Sequence, residues 1–261
     1  MGLKNTLKSL LGMNTIKFIK SKFQTASDKK QIADRRRFYM QFLKEGSLFF
    51  DIGANYGNRI EPLVNEPIEI IAIEPQIECV RFLQKRFGKK ITVLQNGVGK
   101  TMDSKLMYIA TNANILSSFS KDWIDSTKNS GRFSAIKWDK TRTIEMVTLD
   151  YLIATYGSPD FIKIDVEGFE LEVLQGLNQT VKMLSIEYTV PERSEELLAC
   201  LSYLNDLTKQ QAQYNYCITE NTDFALPNWV SYDQMLHEVK AERFVHSLFG
   251  DVYVKFTPTV E

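Results

Sequence analysis

The sequence has few of the residues that build disulfide frameworks or metal centres. Its 261 residues include only three cysteines and two histidines. Cys79, Cys200 and Cys217 show neither a C-x-x-C motif nor a paired spacing, which is typical of reduced, partly buried thiols in a cytoplasmic protein. His237 and His246 lie far from any cysteine, so we expect no structural zinc ion.

Long apolar runs are also lacking. No segment approaches the roughly 18 consecutive apolar residues that a membrane-spanning helix needs, and the start of the chain has no continuous apolar region of the signal-peptide kind. A hydrophobic content of 44% is nevertheless enough for a substantial core, which excludes global disorder. The length suits one large domain with appendages. We therefore expect a cytoplasmic protein.

Charge is balanced overall but not along the chain. Residues 1–37 contain ten lysines and arginines against two aspartates, a net charge of +8, so the remainder carries about −8. Apolar residues recur there at helical spacing, including Leu3, Leu7 and Leu10. We predict a basic, amphipathic, helical extension over residues 1–44. It either packs on the main domain, residues 45–261, or contacts an acidic partner or the inner face of a membrane.

The most informative motif joins two apolar strands to two acids. Residues 48–57 read LFFDIGANYG, an apolar strand that ends in Asp51 and enters a turn containing Gly53. Residues 71–75 read IAIEP, a second strand whose final acid, Glu74, follows 21 residues after Gly53. A glycine turn followed about 20 residues later by a carboxylate that binds a ribose diol is the layout of a nucleoside site in doubly wound α/β domains.

The glycine spacing argues against a dinucleotide. A G-x-G-x-x-G loop beginning at Gly53 would need glycines in place of Asn55 and Asn58. A pyrophosphate favours bare backbone N–H groups at a helix N-terminus, whereas the carboxylate of Asp51 would repel it. The same carboxylate suits a cationic ligand. S-adenosylmethionine fits, because it carries an ammonium, a sulfonium and a ribose diol but no phosphate.

The remaining pattern predicts further strand–helix units and one irregular segment. Strand–helix alternation over residues 48–94, with a helix beginning near Gly57, indicates right-handed crossovers and a parallel sheet. Residues 111–142 are polar and without clear periodicity, which is typical of a lid or a disordered insert. Apolar strands at 161–164 and 183–186 again end in acids, Asp165 and Glu187.

Four apolar strands thus end in carboxylates. The carboxyl ends of parallel strands lie along one edge of a sheet, where ligands bind. We therefore expect Asp51, Glu74, Asp165 and Glu187 to converge, and such a cluster is stabilised by a cationic ligand, a metal ion or a shared proton.

These runs together resemble those of FkbM-type methyltransferases, a branch of the class I enzymes that use S-adenosylmethionine. The residues that carry the resemblance are 50–57 (FDIGANYG), 72–75 (AIEP), 148–150 (TLD), 162–170 (IKIDVEGFE) and 250–253 (GDVY). The resemblance implies a doubly wound, mostly parallel seven-stranded sheet of order 3-2-1-4-5-7-6, with strand 7 antiparallel and helices on both faces.

The resemblance also assigns the cofactor site. It implies that the glycine turn holds the methionine part of S-adenosylmethionine, that Glu74 binds the ribose hydroxyls, that Asn96 lies near the adenine, and that Asp165 faces the sulfonium. The residues predicted to bind the cofactor are Asp51, Gly53, Ala54, Asn55, Gly57, Glu74, Pro75, Asn96 and Asp165.

The reaction implied is O-methylation of a hydroxyl on a sugar, a glycan or a secondary metabolite, with Asp165 and then Glu187 as the predicted base or acceptor-orienting residue. No metal is expected, because a magnesium ion held by Asp165, Glu167 and Glu187 would require a convergence that sequence cannot show. Nucleic acid is not expected as a substrate, since neither an Asn/Asp-Pro-Pro-Tyr type motif nor a catalytic Pro-Cys pair is present. The alternatives are a non-catalytic binding protein of the same fold and an NAD-dependent oxidoreductase.

Overall fold

A computed structural model describes residues 24–256 of the chain. The apolar stripe of the predicted extension falls on residues 1–23 and lies outside the described residues. The first described helix, α1 (Ala26–Tyr39), begins at a capping box in which Thr25 and Asp28 exchange hydrogen bonds. Its last two residues are buried together with residues of the main domain. The end of the predicted extension is therefore part of the domain core.

Seven strands form the central sheet. They are β1 (Leu48–Ile52), β2 (Glu69–Ile73), β3 (Thr92–Leu94), β7 (Phe161–Ile164), β8 (Met183–Thr189), β9 (Ala212–Ile218) and β10 (Phe249–Phe256). Their order is β3-β2-β1-β7-β8-β10-β9, which is 3-2-1-4-5-7-6 when only these seven strands are numbered. β10 runs antiparallel to both of its neighbours, whereas the other pairs are parallel.

Both faces of this sheet are buried, which explains why its strands read as continuous apolar runs. On β1, Phe50 and Ile52 belong to one hydrophobic cluster and Phe49 to another, because successive side chains point to opposite faces. The other described helices are α2 (Ile77–Phe87), α3 (Lys121–Asn129), α4 (Leu149–Tyr156), α5 (Glu170–Leu174), α6 (Ser194–Leu207), α7 (Tyr232–Glu238) and α8 (Glu242–Val245). The predicted α/β class, with a mostly parallel central sheet and helices, is confirmed.

Details outside the central sheet differ from expectation. A second sheet of order β4-β6-β5 contains β4 (Gly97–Val98), β5 (Ser104–Ala110) and β6 (Trp138–Val147), and the sequence analysis did not predict it. The helix predicted near Gly57 is wrong: residues 55–65 form successive turns. Between residues 24 and 256 we find no helix of the length and apolarity that crossing a bilayer requires.

The segment 111–142 is more ordered than its sequence suggests. It contains α3, whose first turn is capped by the Ser120 side chain, and the beginning of β6. Trp123, Ile124 and Thr127 on one side of α3 are buried. The sequence does not predict this helix, because only a few apolar side chains anchor it, too few to set a periodicity.

Candidate active site

The strand ends converge on one large cavity of about 1140 Å³. Nine of the ten residues predicted for the site line it: Asp51, Gly53, Ala54, Asn55, Glu74, Pro75, Asn96, Asp165 and Glu187. The exception is Gly57. A Cβ atom there would lie 2.5 Å from Cε2 of Phe87 and 2.9 Å from Cδ2 of Leu83. The missing side chain at Gly57 therefore serves packing against α2, and this residue is not part of the cavity wall.

The turn after β1 is pressed against the end of β7. Gly53 has a φ of +85°, and a Cβ atom on it would lie 1.9 Å from the carbonyl oxygen of Asp165. The N–H groups of Gly53 and Ala54 both donate to the carbonyl of Ile73, over 2.9 and 3.1 Å. Because the turn is fixed to both neighbouring strands, it forms a rigid floor for the cavity.

We predict that Gly53→Ala lowers the free energy of unfolding by at least about 3 kcal/mol, because a backbone atom cannot yield to the new Cβ and the left-handed φ adds strain. Denaturant unfolding measures this loss. Gly46→Ala is the matched control, since Gly46 has a similar φ of +78° but open space around it. A Gly53→Ala protein no less stable than Gly46→Ala would contradict the close approach.

Glu74 is buried at the end of β2, and within residues 24–256 two backbone N–H groups donate to its carboxylate. One carboxylate oxygen accepts from the N–H of Gln76 and the other from the N–H of Asn55, each over 2.8 Å. A carboxylate has about four lone-pair sites, so each oxygen can accept one further hydrogen bond. Burial raises the pKa of Glu74 to about 7, against the effect of these hydrogen bonds. This geometry suits a diol that donates one hydroxyl to each oxygen.

Asp51 is a buried acid with an unused oxygen. It is 1% exposed, and its Oδ2 has no hydrogen-bond partner among residues 24–256. Burial raises its pKa to about 7, although the positive charges of Lys163 and Arg59 act in the opposite direction. An unpartnered buried acceptor is costly, so a donor or cation bound in the cavity would stabilise it.

Three carboxyl groups meet at the ends of β7 and β8. Asp165, Glu167 and Glu187, called the carboxylate trio below, each place an oxygen within 4.8 Å of the other two. Burial, followed by the charge of Asp165, raises the pKa of both glutamates well above the usual value. Burial also acts to raise the pKa of Asp165, but Lys163 and Arg59 outweigh it and lower that pKa. The convergence on which the magnesium alternative depended is therefore present.

A fully buried lysine lies beneath the trio. Lys163 has no exposed surface. Its Nζ lies 2.7 Å from Oδ1 of Asp251 and 3.3 Å from Oδ2 of Asp165, and it donates to the carbonyl of Ile164. The sequence analysis gave Lys163 no role in the site. A lysine inside an apolar strand nevertheless indicates buried acidic partners, because lysines are almost never fully buried unless they are paired.

The N-terminal helix also forms part of the cavity wall, which sequence reasoning missed. Its contributions are Gln24, Thr25, Asp28, Gln31, Ile32 and Arg35. Arg35 and Arg59 share Oε2 of Glu220, at 2.7 and 2.6 Å, and this links α1 to the loop after β1 and to the end of β9. No motif or periodicity in the sequence indicates these contacts.

The segment 111–142 contacts the same site. The hydroxyl of Ser118 donates to the carbonyl of Glu167 over 2.7 Å. Phe119, Trp123 and Phe133 line the cavity, and a Cβ atom at Gly168 would lie 2.3 Å from the Trp123 ring. The segment thus packs on the loop that follows β7. Whether it opens and closes as a lid stays a prediction.

Comparison with known proteins identifies one family. Residues 51–241 match the family described as the methyltransferase FkbM domain. No curated protein shows a significant match to the sequence. Solved structures of similar fold include a TehB-like SAM-dependent methyltransferase from Corynebacterium glutamicum, with a TM-score of 0.46, 7% identity and coverage of 86% of this chain and 88% of that chain.

Two further solved structures are similar to the chain. A SAM-dependent O-methyltransferase from Thermotoga maritima gives a TM-score of 0.42 at 11% identity and covers 87% of this chain and 66% of that chain. The plantazolicin methyltransferase BpumL, in complex with a pentazolic desmethylPZN analog and SAH, gives a TM-score of 0.42 at 11% identity, covering 96% of this chain and 94% of that chain. Such distant likenesses say nothing about activity, so the family match is the finding that bears on function.

Proposed function

Because the chain belongs to the FkbM family of methyltransferases, we propose that it transfers a methyl group from S-adenosylmethionine to a hydroxyl of a sugar, a glycan or a secondary metabolite. The observation that carries the proposal is the pair of buried carboxylates, Asp51 and Glu74, at the ends of two adjacent strands on one cavity. Among residues 24–256, Oδ2 of Asp51 has no hydrogen-bond partner and each oxygen of Glu74 accepts one backbone N–H, and the cofactor offers an ammonium and a ribose diol as further donors.

The order of residues along the sheet edge supports the same cofactor. From β3 to β7 the cavity is lined by Asn96, Glu74, the Gly53 turn and Asp165. Neighbouring strands lie about 4.8 Å apart, so the strand ends bearing Glu74 and Asp165 are separated by about 10 Å. Adenine at Asn96, ribose at Glu74 and sulfur beyond the Gly53 turn follow one another in the order of the molecule.

The residues of the chain would bind and orient the cofactor and the acceptor, and would accept the proton of the acceptor hydroxyl. Bound S-adenosylmethionine supplies a methyl group already activated on a sulfonium. Burial acts to raise the pKa of Asp165, but the positive charges of Lys163 and Arg59 outweigh burial and lower that pKa. Asp165 therefore stays ionised and can orient an acceptor hydroxyl. Glu187 is the second residue that can hold the hydroxyl proton, because its pKa is raised by burial and by the neighbouring acids. Orientation of acceptor and cofactor carries much of the rate in this account.

The reaction class is tested with S-adenosylmethionine labelled on its methyl group and a set of neutral glycosides and phenols. We expect products that keep their label both in mild alkali and under conditions that cleave methyl groups from amines, because methyl ethers survive both treatments. Label released by alkali would indicate a carboxyl methyl ester and would contradict O-methylation of a hydroxyl. Wild-type protein without acceptor provides the background.

For residues 1–37 we propose contact with an anionic membrane surface. Five lysines and no acidic residue in residues 1–23, together with the apolar spacing of the first residues, support it. Flotation with vesicles of neutral or partly anionic lipid, using the full chain and a chain that starts at Gln24, tests the proposal. The full chain should float with anionic vesicles only. Equal flotation of both chains would contradict it.

A further inference from the structure

Lys163 is a buried charge to which the proposed function gives no role of its own. It lies inside the apolar strand β7 and has no exposed surface, and the residues between 24 and 256 that line the cavity do not include it. Its Nζ lies 2.7 Å from Oδ1 of Asp251 and 3.3 Å from Oδ2 of Asp165. Burial acts to lower the pKa of Lys163, but the charges of Asp165 and Asp251 outweigh burial and raise that pKa. The side chain is therefore a buried ammonium held between two carboxylates.

The two acidic partners of Lys163 differ in their surroundings. Asp251 lies on β10, and β8 separates this strand from β7. The Asp251 side chain is 7% exposed, whereas that of Asp165 is 25% exposed and lines the cavity. Replacing a buried ion pair with apolar side chains is often neutral or stabilising, so stability alone does not explain the pair. Asp251 anchors the lysine, and the lysine contacts the one acid of the two that faces the ligand cavity.

We propose that Lys163, anchored by Asp251, is a positioning residue for Asp165, because it holds Oδ2 of this acid and leaves Oδ1 for the hydroxyl of the acceptor. The inference rests on the proposed function, since it takes Asp165 as the residue that orients the acceptor. Lys163 itself does not touch the substrate. A carboxylate beside a buried cation stays ionised and is held in one orientation, and both properties help to direct a hydroxyl oxygen at a methyl group.

Other charged groups also act on Asp165, so the test has to isolate Lys163. Arg59, in the loop after β1, adds a second positive charge, and Glu187 on β8 adds a hydrogen bond. The other acids that interact electrostatically with Asp165 are Asp51 on β1, Glu167 in the loop after β7, Glu170 on α5 and Glu220 after β9. All of them stay unchanged in the variants below.

NMR titration of the Asp165 carboxyl group measures the effect of the lysine without any acceptor. Protein labelled with ¹³C at its aspartate carboxyl groups is titrated in buffer containing EDTA, and Asp165→Asn identifies the signal. Lys163→Met combined with Asp251→Asn removes both charges of the pair, so that neither is left buried alone. Asp165 should then take up its proton at least about one pH unit higher than in wild-type protein. Asp251→Asn alone should lower that pH, because Lys163 then acts on one acid fewer.

Two controls separate this effect from damage to the fold and from failure of the proposed cofactor. Lys182→Met removes an exposed lysine that pairs with Asp160 and should leave the titration of Asp165 unchanged. S-adenosylhomocysteine should bind every folded variant within about threefold of wild type, because Lys163 does not line the cavity. Failure of wild-type protein to bind S-adenosylhomocysteine would overturn the proposed function, and the role of Asp165 with it.

The same variants test the consequence for catalysis. With the acceptor that methyl labelling identifies, the acidic limb of kcat should move to higher pH in the double variant and to lower pH in Asp251→Asn, while KM for S-adenosylmethionine stays within about threefold. A purely structural role would lower activity in both variants without opposite shifts. An Asp165 titration that is unchanged in the double variant, or that moves in the same direction in both, would overturn the inference. If the double variant fails to fold, an unchanged or higher titration pH in Asp251→Asn overturns it.

Discussion

Glu74→Gln is expected to weaken the binding of S-adenosylhomocysteine by about 100-fold, or about 3 kcal/mol. Each oxygen of Glu74 accepts one backbone N–H and has room for one ribose hydroxyl. The amide replaces one of these acceptors with a donor, so one hydroxyl loses its partner and the remaining bond loses its charge. Isothermal titration calorimetry measures the effect.

The control for this variant lies on the same strand. Glu69→Gln changes an exposed acid at the beginning of β2 and should bind like wild-type protein. Thermal unfolding is recorded for both variants, so that a folding defect is recognised. A folded Glu74→Gln protein with affinity within threefold of wild type would contradict the ribose-binding role.

Asp51→Asn is expected to stabilise the ligand-free protein while impairing cofactor binding. The folded-state pKa of about 7 exceeds the ordinary value of 3.8, so the folded state holds the proton more tightly than the unfolded state does. Stability is therefore lost as the pH rises from about 4 to about 7 and is constant above that range. At pH 8 the neutral amide should raise the free energy of unfolding by about 2–4 kcal/mol, and the melting temperature by about 5–10 °C.

The pH dependence of that gain is the informative part. The gain should be largest at pH 8 and should disappear near pH 3, below the ordinary value of 3.8, where Asp51 is protonated in both states. Asp160→Asn is a control of opposite sign: burial acts to raise the pKa of Asp160, but hydrogen bonds from Lys182 and Leu48 outweigh burial and lower it. That variant should be less stable than wild type at pH 8. An Asp51→Asn protein that loses stability at pH 8 would show that the unpartnered oxygen is not a burden.

Burial of the Glu74 and Asp51 carboxylates destabilises the protein when no ligand is bound. The free protein tolerates them because raised pKa values let both carry protons near neutral pH. We therefore expect S-adenosylhomocysteine to bind with higher affinity as the pH rises from about 6 to about 8, since the ionised form of Glu74 accepts the ribose hydroxyls.

The sequence alone is enough to predict those parts of the fold and the site whose geometry is determined by one short segment. The central strands are buried on both faces, so their apolar runs are continuous, and the acids that end them fall at one edge. The convergence of Gly53 and Glu74 on one cavity was predicted in this way. Gly57 does not line the cavity, because its missing side chain leaves room for Phe87, and sequence alone does not distinguish such a glycine from one that faces a ligand.

Other parts of the site depend on contacts between distant segments. The contribution of α1 relies on the pairing of Arg35 with Glu220, 185 residues away, and no local pattern marks it. The convergence of Asp165 and Glu187 was expected from the strand ends, whereas the place of Glu167 beside them depends on the loop that follows β7. Lys163 was detectable in principle, because a lysine inside an apolar strand is costly to bury without acids around it.

Calorimetric titration of the purified protein with S-adenosylhomocysteine, with NAD as the comparison ligand, tests the central claim most directly. We expect micromolar binding of S-adenosylhomocysteine and none of NAD, since the carboxylate of Asp51 at the cavity would repel a pyrophosphate. Binding of NAD, or of neither ligand, would contradict the assignment of this cavity to a sulfonium nucleoside.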